Sequence, residues 1–99
     1  MKADPHAGLR DRALASVLDG PAQTESALRH AVARNEAVPP DLARLVAKVH
    51  AHAYRVTDED VAAPKFKYGE DRMFELIVSA AMGASKLRLD AGLKALEDA

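Results

Sequence analysis

The chain has 99 residues, no cysteine, and a formal net charge of −1 from 14 basic and 15 acidic residues that are intermingled. That length fits one domain, residues 1–99, with a modest core. The absence of cysteine excludes disulfides, thiolate metal sites and thiol catalysis. The balanced charge offers no basic stripe for nucleic acid, and no segment approaches the roughly 20 apolar residues of a membrane span.

The start, MKADPHAGLRDR, is polar and lacks a hydrophobic signal core, so a soluble cytoplasmic protein is expected. Alanine, leucine and charged residues dominate, while β-branched and aromatic residues are few, which suits helices. The expected fold is all-α: about five helices with a long C-terminal helix.

Asp4-Pro5 resembles an N-cap followed by proline at the first helical position. A first helix then runs to about Leu18, with Leu9, Ala13 and Val17 on one face and Leu14 and Leu18 beside it. Asp19-Gly20-Pro21 ends it and opens a second helix over residues 21–35. Its stripe is Ala27, Leu28, Ala31 and Val32, and its other faces carry Gln23, Glu25, Arg29, His30 and Arg34. His30 and His6 read as solvated or edge residues.

A short connection, residues 35–40, ends in Pro39-Pro40, and Pro40 can open the third helix over residues 41–55. Its apolar face is Leu42, Leu45, Val46, Val49, Ala53 and Val56. His50 and His52 lie about 160° apart on such a helix, so they cannot chelate one ion from it. No metal or cofactor is expected. Thr57-Asp58-Glu59-Asp60 fits a capping pattern that starts a short fourth helix. That helix should end before Pro64, leaving residues 63–69 as a loop pinned by Phe66 or Tyr68.

Residues 69–99 read as one long helix carrying two apolar stripes. Successive residues turn by about 100°, so residues three and four apart share a face. Met73, Ile77, Ala80, Ala84, Leu87 and Ala91 form one stripe. Phe74, Val78, Met82, Leu89, Leu93 and Leu96 form the other, interrupted by Ser85. One stripe is expected to pack inside the protomer. The other, with Phe74, Val78, Met82, Leu89 and Leu93, is expected to meet another subunit. The alternative is a monomer whose remaining helices wrap both stripes. Gly83, within AAMGAS, is expected to permit close packing.

PPDLARLVAKVHAHAYRVTDEDV followed by GEDRMFELIVSAAMGASKLRLDAGLKAL resembles the carboxymuconolactone decarboxylase-like and alkylhydroperoxidase D-like superfamily, over about residues 38–97. The resemblance implies an all-helical fold assembled as trimers, hexamers or related oligomers. The thiol peroxidase branch carries Cys-x-x-Cys with a histidine four residues later, and those positions fall near His52, Arg55 and Glu59. The decarboxylase branch places a glutamate and a histidine where Arg55 and Glu59 fall. Neither set is present, and the segment APKFKYG departs from the family's small-residue and glycine turn. Thiol peroxidase activity is excluded by the missing cysteines.

Two functions follow as expectations. The first is a non-redox, homo-oligomeric structural or binding module. The second is a cofactor-free lyase or hydrolase acting on a small organic acid. Its acid–base candidates are His52 with Glu59 or Asp58, because a histidine near neutral pKa beside a carboxylate can move protons.

Overall fold

A computed structural model describes residues 7–98; the Asp4-Pro5 cap and His6 lie outside the described residues. Five α-helices follow in order: α1 (Ala7–Asp19), α2 (Ser26–Arg34), α3 (Pro40–His52), α4 (Asp58–Tyr68) and α5 (Glu70–Asp98). A single 3-10 turn, Ala53–Arg55, closes α3. No strand occurs among the described residues.

The core is built where α2, α3 and α5 meet. Val32 from α2, Leu42, Leu45, Val46 and Val49 from α3, and Met73, Leu76 and Ala80 from α5 form one buried cluster. The tight spacing on α3 explains why all four of its large apolar residues point inward. Leu76 lies beside the first stripe read from the sequence, on the flank away from the second, so the buried face of α5 is turned toward Leu76, Ser79 and Gly83.

Gly83 is where α2 and α5 come closest. A Cβ built there would stand 2.1 Å from the Ala33 carbonyl oxygen and 2.5 Å from the Ala33 Cα. Glycine is the residue that admits this contact of backbone on backbone. The contact also turns α2. Val32, Ala33 and Arg29 are its buried residues, whereas Ala27 is exposed and Leu28 and Ala31 are half-buried.

Arg29 is therefore not on a solvated face. Its Nη1 donates to the carbonyls of Val17 (2.7 Å) and Gly20 (3.0 Å), which lie at the C-terminal end of α1. A guanidinium there satisfies carbonyls that a helix end leaves unpaired and complements the negative end of its dipole. α2 also begins later than its proline suggested, at Ser26. Residues 21–25 are not helical because Gln23 and Thr24 are bonded to α5 instead. The Glu75 carboxylate accepts from Gln23 N (3.0 Å), Thr24 N (2.8 Å) and Thr24 Oγ1 (2.7 Å). These bonds hold the Glu75 carboxyl below its ordinary pKa, Gln23 contributing most.

The expected loop over residues 63–69 is helix. α4 runs through Pro64 to Tyr68. Proline in a helix interior loses one hydrogen bond and crowds the preceding turn. Two anchors hold this helix regardless. Thr57 and Asp60 form a reciprocal capping box at its start. At its end, Tyr68 Oη donates to Asp41 (3.0 Å) and Lys67 forms an ion pair with the same carboxylate. The Pro64 ring itself is buried. Tyr68 packs against the core, while Phe66 is 95% exposed and pins nothing. A single residue, Gly69, joins α4 to α5 at φ 87, ψ 164, a conformation that favours glycine.

Candidate functional site

The three residues proposed for acid–base chemistry sit around the turn between α3 and α4. His52 ends α3, and Asp58 and Glu59 lie in the first turn of α4. All three are exposed. Among the described residues His52 makes no hydrogen bond to either carboxylate; its ring contacts Tyr54 edge-on, with centroids 6.0 Å apart. Arg55 stands over the same Tyr54 ring, 5.6 Å from its centroid. His50 faces inward instead, its Nε2 donating to the Val32 carbonyl at 2.8 Å and tying α3 to α2. No group of three or more His, Asp or Glu residues among the described residues is placed to hold a metal ion.

Glu59 does line a cleft of about 540 Å³ between α3 and α4, with Arg44, Lys48, Asp60 and Pro64. Within it the charges are mostly committed to structure. Lys48 Nζ lies 2.6 Å from Asp60 Oδ2, and the Thr57 backbone N–H reaches the same oxygen at 2.9 Å. The Lys48 bond, with the Thr57 bonds after it, lowers the Asp60 pKa to about 2. Asp41 at the cleft's edge is also lowered, chiefly by its bond from Lys67.

A second hollow of about 350 Å³, mostly apolar, lies among α1, α2 and α5 and is lined by Leu14, Leu18, Ala33, Gly83 and Leu87. At its rim His30 Nε2 and Asp19 Oδ1 are 2.7 Å apart, and Ser26 Oγ donates to the same carboxylate oxygen at 2.9 Å. The His30 bond is the main reason that the Asp19 carboxyl titrates below its ordinary value. His30 is half-buried in this contact, the edge position of the two expected for it. The carboxylate accepts from both neighbours, so the trio joins α1 to α2 and does not activate the Ser26 hydroxyl, whose one proton is shared with the Leu18 carbonyl at 2.8 Å. The sequence carried no signal for this pair: Asp19 and His30 lie on different helices, 11 residues apart.

Comparison with protein-family models, curated proteins and solved structures found no match to this chain.

The most extensive uncommitted feature is the outer face of α5. This helix has 29 residues, about 44 Å at 1.5 Å per residue. It accounts for the long dimension of the molecule, 46 Å against 28 and 21 Å. Only its first half carries the core. From residue 85 onward every described side chain is exposed except Leu93, which is half-buried. Phe74 is 70% exposed and Leu96 73%. Leu89 is exposed as well, and Val78 and Met82 are half-buried. These residues share one side of α5, opposite Met73, Ala80 and Ala84, which are buried.

Proposed function

We propose that this protein is a non-redox helical module that works as a homo-oligomer, its copies meeting through the outer face of α5. The observation that carries this reading is the line of Phe74, Val78, Met82, Leu89, Leu93 and Leu96 along a helix whose last four turns lie beyond the core. An isolated helical segment of that length is marginal in water. Burial of its leucines against a second protein surface would stabilise it. The resemblance of residues 38–97 to the carboxymuconolactone decarboxylase-like superfamily, whose members form trimers and hexamers, supports the same reading. The chain contains no cysteine for redox chemistry.

Sedimentation or light-scattering mass of the wild type against Met82→Glu and Leu89→Glu tests it. A multimeric wild type and a lower mass in the charged variants are expected. Variants that keep the wild-type mass, or a wild type that is monomeric at tens of micromolar, overturn it.

A second reading, a cofactor-free lyase or hydrolase acting on a small organic acid through His52 and Glu59 or Asp58, draws support from one feature. Glu59 shares its cleft with Arg44, a cation that suits a carboxylate ligand. Amide shifts at these residues on adding small organic acids would support it, and an unmoved spectrum at millimolar ligand would sink it.

A further inference from the structure

Resting on the reading that copies meet through α5, we infer that two copies pair antiparallel along this helix, with Phe74 of one seated over Gly92 of the other. The first support is the spacing of the outer face. Phe74, Val78, Met82, Ser85, Leu89 and Leu93 follow one another by four, four, three, four and four residues. That order reads the same from either end. Its midpoint falls between Gly83 and Ala84, at the middle of the helix that runs from Glu70 to Asp98.

A two-fold axis through that point makes a self-complementary contact, in which residue i meets j and j meets i. Phe74 then lies opposite Leu93, Val78 opposite Leu89, and Met82 opposite Ser85. Each pair joins a larger residue to a smaller one, Phe74 to Leu93, Leu89 to Val78 and Met82 to Ser85, which lets side chains interdigitate.

Gly92 supplies the second support. Glycine is a poor helix former, and Gly83 earns its place through the close approach of Ala33. Gly92 has no such reason inside the protomer, because a Cβ there would meet nothing within 4 Å. On the helix it sits on the same flank as Phe74. Antiparallel pairing about the midpoint brings the two to nearly the same height, so the exposed Phe74 ring covers the bare backbone of the partner's glycine.

Charge supplies the third. Arg72 and Glu97 occupy the other flank, nearly symmetric about the midpoint, and neither makes an ion pair among the described residues. Antiparallel pairing sets each Arg72 beside a Glu97 of the second copy. Parallel pairing would instead set Asp71, at the centre of the face, against itself. The antiparallel pair can stand alone or recur within a hexamer; it does not fit a bare cyclic trimer.

The cysteine-free chain allows a direct test with single cysteines and a short bis-maleimide. Arg72→Cys co-expressed with Glu97→Cys should give cross-linked dimers, since both positions lie at the rim outside the apolar contact. Leu96→Cys should not cross-link to itself, because its two copies would stand about 37 Å apart along an antiparallel pair. Gly92→Leu should raise the dimer dissociation constant at least tenfold while helix content is unchanged.

Self-cross-linking of Leu96→Cys without the mixed product would mean a parallel pair, overturning this register but leaving the outer face as the interface. An assembled protein that gives neither product would overturn the α5 pairing. A monomeric protein would overturn both this pairing and the homo-oligomer reading.

Discussion

Replacing Gly83 with alanine sets two effects of opposite sign against each other, and the structure decides between them. By helix propensity alone Gly83→Ala should stabilise α5 by about 1 kcal/mol. The added Cβ, however, would meet the Ala33 oxygen at 2.1 Å, its Cα at 2.5 Å and its carbonyl carbon at 2.6 Å, where ordinary contact begins at 3.4 Å. All three are backbone atoms, so no side chain can swing aside. α2 must move away from α5 by more than an ångström. That movement strains the Arg29 bonds to Val17 and Gly20, because Arg29 rides on the same helix. Overpacking typically costs about 1–3 kcal/mol, occasionally more, and a backbone obstacle places this site at the upper end. The net loss is then about 2 kcal/mol or more. For a domain of this size that lowers Tm by roughly 8–16 °C. Thermal unfolding followed by circular dichroism, at matched protein concentration because association shifts apparent stability, measures it. The double variant with Ala33→Gly should recover nothing, since the atoms met are backbone. A Gly83→Ala protein as stable as wild type, or more so, would refute the close-approach argument.

The remaining expectations concern single contacts. Ser79 is completely buried and its Oγ has no hydrogen-bond partner; Ser79→Ala should therefore raise the urea midpoint, by about 1 kcal/mol in stability, and a loss would show that the hydroxyl is bonded. Gly69→Ala forces a β-carbon into the conformation at φ 87 and should cost about 1–3 kcal/mol, read as a lower Tm; an unchanged Tm would mean that the junction relaxes freely. In acid, Asp19, Asp41, Asp60 and Glu75 all titrate below their ordinary values in the fold. Depressed carboxyls contribute stability that is full above the unfolded-state values of 3.8 and 4.5 and is lost as pH falls toward the folded-state ones, about 2 for Asp60. The urea midpoint should thus fall steadily from about pH 5 to about pH 2, and a flat profile would contradict the bonds described. Lys48→Met removes the chief cause of the Asp60 shift, so the Asp60 carboxyl resonance should titrate closer to 3.8.

The helical class and most of the inward face of α3 were legible because they depend on periodicity: of the residues that spacing selects, Leu42, Leu45, Val46 and Val49 are buried and Val56 is half-buried, while Ala53, past the end of α3, is exposed. The Thr57 cap was legible for a similar reason, since its partner Asp60 is three residues away. Arg29 was not, because its partners are carbonyls on α1 that no residue type encodes. Nor was the course of α4. Pro64 is a strong local signal to stop, but the Asp41 anchor that keeps Lys67 and Tyr68 helical lies 26 and 27 residues away. The same distinction bears on the acid–base residues. His52 and Glu59 are near in sequence, which made them attractive, yet no hydrogen bond joins them, and the His52 ring meets Tyr54 instead.

The two stripes of α5 divide the helix by both face and length. Its first half can spare residues for the core because α2 and α3 reach it; its second half is met at its start by polar contacts, Arg88 donating to the His50 carbonyl and Lys86 Nζ lying 3.9 Å from Asp11 Oδ1, and even Leu87, in line with the core stripe, is 50% exposed. On the reading proposed above, the four further turns, with leucines on the same outer side as Phe74 and Met82, gain stability from burial against a second copy. That makes the outer face, rather than the histidine corner, the place where this chain's function is to be sought.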